Sequence, residues 1–153
     1  MKTSISAVLA VVTLLWSVPG FSQVMDTEQL KSSCQEKKTA DACFELGEKY
    51  RVVEMDNKTA LEYFLQGCEL KHMTSCVHAG ILTEVKGTQN SPEWKKAAEL
   101  FETACNEHHD KGCFELGALK YREGRSKKAT EYFKIACEYG NKIACNNMKK
   151  FEK

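Results

Sequence analysis

Proline is nearly absent from this 153-residue chain, which has two, and glycine is sparse at nine. Sandwiches and barrels need such residues for many tight turns, so a predominantly β architecture is excluded. No segment alternates apolar and polar residues with period two, which removes the remaining strand signal. An excess of charge is missing too: 22 Lys and Arg stand against 21 Asp and Glu, a formal net charge of +1. Nucleic-acid binders draw most of their affinity from phosphate neutralisation, and anionic membranes attract polybasic blocks. Neither is expected as a partner. Disorder is equally excluded, because 42% hydrophobic and 28% charged residues are ordinary globular values.

Catalytic motifs are also lacking. Beyond residue 22 there is no Ser-x-x-Lys and no Lys-Thr-Gly. A Gly-x-Ser-x-Gly elbow and a His-Glu-x-x-His pair are missing as well. His108-His109-Asp110 is the one suggestive triplet, and adjacent histidines at a helix entrance point in different directions. It reads as a solvated turn, and no catalytic residue is assigned.

What is present begins with residues 1–22. Lys2 precedes an apolar run from Ile5 to Val18, and Val18-Pro19-Gly20-Phe21-Ser22 offers small residues for cleavage. This is the pattern of a secretory signal peptide, with a run too short for the roughly 20 residues of a membrane span. The expectation is a secreted or periplasmic protein, not inserted in a membrane after cleavage, with one domain over 23–153. Losing Lys2 leaves that domain with no formal net charge.

Eight cysteines are unusual at this length, and they fit an oxidising compartment. They fall as Cys34 and Cys43, Cys68 and Cys76, Cys105 and Cys113, Cys137 and Cys145. Within pairs the separations are nine, eight, eight and eight, and the pairs recur every 32 to 37 residues. A fixed short separation at a period near 34 marks one unit copied along the chain. Zinc is the rival use of these thiols. Structural zinc sites usually leave two to four residues between paired cysteines, and here seven or eight intervene. The histidines, His72, His78, His108 and His109, occupy only the middle of the chain, whereas all four cysteine pairs share one pattern. Four near-neighbour disulfides are expected, with no metal and no cofactor.

Aligned on the first cysteine, Ala60, Ala97 and Ala129 stand eight residues before it. Leu30, Phe64, Phe101 and Phe133 stand four before it, and the small Ser33, Gly67, Ala104 and Ala136 one before. These offsets share one face of a helix. Aligned on the second cysteine, Cys43-Phe44-Glu45-Leu46-Gly47 recurs as Cys113-Phe114-Glu115-Leu116-Gly117, with Cys76-Val77-His78-Ala79-Gly80 between them. Glycine inside a helix costs about 1 kcal/mol relative to alanine, so its recurrence predicts close helix crossings. Polar loops fall at 54–57, 86–91 and 123–126, and Ser91-Pro92-Glu93 is a helix start. The spacing predicts a half-unit helix from about Asp26 to Lys37, three helix pairs, and a closing helix from about Asn141 to Phe151. Each disulfide would join the last turn of one helix to the first turn of the next. A loop of about nine residues closed this way contributes about 2.6 kcal/mol in the chain-entropy model. The fold class is all-α: a short right-handed α-solenoid of disulfide-stapled helix pairs.

Ala42, Leu46, Gly47 and Tyr50, followed by Asp56, Ala60, Phe64 and Gly67, resemble the SEL-one-like repeat, a relative of the tetratricopeptide repeat. With a cysteine in each of two adjacent helices, the chain is similar to the Helicobacter-type cysteine-rich proteins from about Asp26 to Phe151. The middle unit departs, with Ala79 and Thr83 in place of Leu and Tyr. Members of that family are often described as β-lactamases or penicillin-binding proteins. The resemblance therefore implies an alternative function, weak hydrolysis of β-lactams or cell-wall amides, which the missing motifs argue against.

The leading expectation is a binding module rather than an enzyme. Stacked helix pairs form a curved solenoid whose concave face binds proteins or peptides. By analogy with tetratricopeptide arrays, the helices carrying the second cysteines should line it. Glu45, Lys49, His78, Leu82, Glu115 and Leu119 are the expected partner-binding residues of a monomer, and their mixed character suggests a polar protein or peptide ligand. Trp94 is read as an interface anchor or as packing beneath the 86–91 loop.

Overall fold

A computed structural model describes residues 26–151, so the expected signal segment and its boundary at 22/23 lie outside the described residues. Over these residues the chain is entirely helical: α1 (Thr27–Gln35), α2 (Ala40–Val52), α3 (Asn57–Glu69), α4 (Met73–Glu84), α5 (Pro92–Asn106), α6 (Asp110–Arg122), α7 (Ser126–Glu138) and α8 (Lys142–Phe151). Among the described residues no helix is long and apolar enough to cross a membrane.

Local chemistry sets the helix starts. Asp26 forms a capping box with Gln29, and the Asp56 carboxylate accepts from the amides of Lys58 and Thr59. Ser91 accepts from the Trp94 amide at 3.2 Å, with Pro92 in the first turn, as its sequence predicts. The turns beneath the disulfides follow one design. Lys38, Lys71, His108 and Gly140 each adopt positive φ, and the next residue (Thr39, His72, His109, Asn141) immediately precedes the first residue of the following helix. In three of the four turns a non-glycine residue carries the left-handed conformation.

All four expected disulfides are formed, with Cα–Cα distances of 4.4 to 4.8 Å. Such close approach is possible because the residue before every cysteine is small and buried. Gly67 lies against Ser75 and Gly112 against Ala104, so closely that a Cβ on either glycine would come within 2.6 Å of its neighbour. The recurrent glycines act at the other crossing, between α2 and α3, α4 and α5, and α6 and α7. A Cβ on Gly47, Gly80 or Gly117 would strike the ring of Phe64, Phe101 or Phe133, respectively. Each aromatic ring thus fills the space that the missing side chain leaves, and Phe64 and Phe101 are fully buried. In the middle unit Thr83 turns its hydroxyl onto the Ala79 carbonyl at 2.7 Å, and Trp94 joins the core that contains Ala79. Trp94 is therefore a packing residue, its ring nitrogen donating to Glu123 Oε1 at 3.0 Å.

The second-cysteine helices α2, α4 and α6 also touch one another directly. They stand side by side as one row, and the first-cysteine helices pack behind them.

Candidate partner-binding face

The row of α2, α4 and α6 is laced together by the helix caps. His72 Nδ1 accepts from the Ser75 amide, and its Nε2 lies 3.7 Å from Asp41 of the preceding row helix. His109 accepts from the Gly112 amide, and its Nε2 reaches Thr74 Oγ1 at 3.2 Å. Asn141 repeats the device, accepting from the Ala144 amide and donating to Asp110 Oδ2 at 3.0 Å. One residue thus caps its own helix and ties it to the one before. His109 is consequently half-buried structure rather than part of a solvated turn, and burial holds its pKa below the ordinary 6.5. His108 packs its ring against Tyr139 instead. Among the described residues no cluster of His, Cys, Asp or Glu could hold a metal ion.

Between α2 and α4 lies an open groove of about 460 Å³, lined by Arg51, Asn57, His78, Ile81 and Leu82. Its polar wall is internally matched. Arg51 donates twice to the Glu48 carboxylate, at 3.0 and 2.7 Å, and His78 Nδ1 donates to the same group at 2.8 Å. The arginine beside it holds Glu48 below the usual carboxylate range. His78 is shifted down by burial, between the rings of Phe44 and Phe64, which outweighs the pull of Glu48. Ile81 is 37% exposed, supplying apolar surface beside these polar groups.

The structure sorts the six expected partner-binding residues. His78 and Leu82 come together in the groove. Glu45 is exposed on α2, and Glu115 is half-buried on α6. Lys49 bonds to Thr27 Oγ1 of α1 and so fastens the first helix to the row. Leu119 does not belong to the face: it is fully buried in the core with Phe101 and Leu116. It holds the same repeat position as Lys49 and Leu82, but in α6 that position packs into the core. Arg51 and Ile81 also line the groove and Glu48 joins its polar wall, three residues outside the expected six. Counting five residues from each second cysteine gives Glu48, Ile81 and Ala118, a register that would have shown two of them.

No family model matches the chain. Cytochrome c oxidase assembly factor 7 of Xenopus tropicalis is 26% identical over 138 residues, covering 81% of this chain and 59% of that protein. The human protein of the same name is 31% identical over 100 residues, covering 59% of this chain and 43% of its own length. The chain therefore spans about half the length of the curated relatives it matches. Three solved structures share the fold. A Sel1 repeat protein from Oxalobacter formigenes aligns with TM-score 0.63 at 18% identity, over 80% of this chain and 96% of that one. Helicobacter pylori cysteine rich protein B aligns with TM-score 0.55 at 26% identity, over 80% and 97%. A protective antigen of uropathogenic Escherichia coli, described as displaying an SLR fold, aligns with TM-score 0.65 at 23% identity, over 79% and 27%.

These likenesses establish the Sel1-repeat solenoid fold. They lend no support to β-lactam hydrolysis. The expectation of a secreted or periplasmic protein is overturned, because the curated relatives are cytochrome c oxidase assembly factors, which are mitochondrial proteins. A basic residue followed by a short apolar run is a compositional signal, and by itself it does not fix a compartment.

Proposed function

We propose that this chain is a disulfide-clasped scaffold that holds another protein, or a peptide segment of one, on the row formed by α2, α4 and α6. The observation that carries the reading is the groove between α2 and α4. There Ile81 stays accessible beside a polar trio that needs no further partner. A concave site that sets apolar walls, here Ile81 and Leu82, beside a few fixed polar groups has the composition of a binding groove. The relatives named as assembly factors suggest the setting, in which the held protein is a component of a larger complex under assembly. Four covalent clasps within the solenoid suit a rigid, preorganised surface, which lowers the ordering cost of binding.

The test is complementation in cells lacking the protein. Ile81→Asp is expected to abolish assembly of the dependent complex while the protein accumulates normally. Glu131→Lys, on the exposed side of α7, is expected to restore assembly fully. Equal rescue by both variants would contradict the assignment of the face.

A further inference from the structure

The repeat permits each position on α6 to be compared with its counterpart on α4. His78 and Glu115 both stand two residues after the second cysteine of their units. Glu48 and Ile81 both stand five after theirs. Where α2 meets α4, His78 donates to Glu48. At the equivalent register of α4 and α6 the chain places Glu115 opposite Ile81, an aliphatic side chain that offers no hydrogen bond. Glu115 is half-buried and accepts no hydrogen bond among the described residues. Its charged neighbours are Arg122, Glu84 and Lys111, and Arg122 is already committed to Glu84. Burial pushes the Glu115 carboxyl upward against the pull of Arg122 and Lys111, and among the described residues neither cation is hydrogen-bonded to it.

The adjoining groove has the opposite character. Arg51 and Glu48 cancel, His78 is held neutral, and Ile81 and Leu82 supply apolar wall. A charged side chain entering it would be desolvated without a counter-charge, whereas an apolar one would gain. Neighbouring helices in a row lie about 8–10 Å apart, which an extended chain spans in roughly three residues.

Building on the scaffold reading above, we infer that the face recognises an extended protein segment with two anchors. An aliphatic or aromatic side chain occupies the α2–α4 groove, and a lysine or arginine about three residues away meets Glu115. Complementarity of charge selects the second anchor, because a cation supplies the directly bonded donor that Glu115 lacks.

A random twelve-residue peptide library displayed on phage, panned against the full oxidised chain, tests this. The expected enrichment is an apolar residue three or four positions from Lys or Arg, lost on Ile81→Asp and on Arg51→Ala. The synthesised consensus peptide should bind Glu115→Gln about tenfold more weakly, as expected for losing a hydrogen bond to a charged group. The selection against that variant should keep its apolar preference and lose its basic one. Enrichment of acidic or uncharged segments, or a basic consensus indifferent to Glu115→Gln, overturns the two-anchor inference and leaves the face assigned. Peptides indifferent to both Ile81→Asp and Arg51→Ala, or no enrichment, overturn the face as well.

Discussion

Gly80 and Phe101 share one space: a Cβ on the glycine would lie 2.5 Å from the phenylalanine ring. The ring is fully buried and has nowhere to swing. Gly80→Ala gains about 1 kcal/mol of helix propensity and meets an overpacking cost of about 1–3 kcal/mol. A net loss of about 1 kcal/mol in urea unfolding is expected. Gly47→Ala should cost at least as much and Gly117→Ala less, since the corresponding approaches are 2.4 and 2.9 Å. Stabilisation by all three alanines would contradict this packing.

Much of this architecture is legible in the chain. Glycines and phenylalanines recur at fixed offsets from the cysteines, so their meeting could be expected even though the partner of each glycine could not be named. The small residues before the first cysteines were readable in the same way. Ala42, Ser75, Gly112 and Ala144 before the second cysteines carry an equal share of the close crossing and emerge only when both alignments are laid together. The face was harder to read, because helical period alone does not say which polar stripe looks inward along a curved stack. Leu119 was therefore misplaced, and His109 showed its capping role only once Thr74 stood beside it.

His109 makes stability pH-dependent. Burial holds its folded pKa below the ordinary 6.5, with Asp110 opposing and Lys111 and His72 reinforcing the shift. A depressed folded value means that the contribution is complete above the unfolded pKa and is lost as pH falls through the folded one. His78, shifted down by burial, acts in the same direction. Glu115, shifted up, acts oppositely, but its window opens from 4.5 upward. Melting temperature should therefore fall as pH drops below about 6.5. His109→Asn, copying the Asn141 cap, should match the parent at pH 7.5 and lose less on acidification. Identical pH profiles would exclude the histidine as the source.

Lys71 carries φ +67° in the turn beneath the second disulfide, where the fourth turn uses Gly140. An L-residue in this region costs about 1–2 kcal/mol, partly offset by the greater freedom of glycine in the unfolded chain. Lys71→Gly should raise stability by about 0.5–1 kcal/mol in chemical unfolding. A decrease would show that the lysine side chain contributes more than the turn costs.

The clasps are expected to act largely by restricting the unfolded chain. Replacing Cys68 and Cys76 together by alanine should lower stability by about 2–4 kcal/mol. Far-ultraviolet circular dichroism below the melting transition should still report a helical fold. Loss of less than about 0.5 kcal/mol would make this clasp incidental to stability.

The most direct test of the account is site-specific photocrosslinking in living cells. A benzophenone side chain is placed in turn at position 81, within the groove, and at position 131, on the exposed side of α7. The account predicts a discrete protein adduct from position 81, which disappears on Arg51→Ala, and none from position 131. Adducts from 131 alone, or from both positions equally, would contradict it.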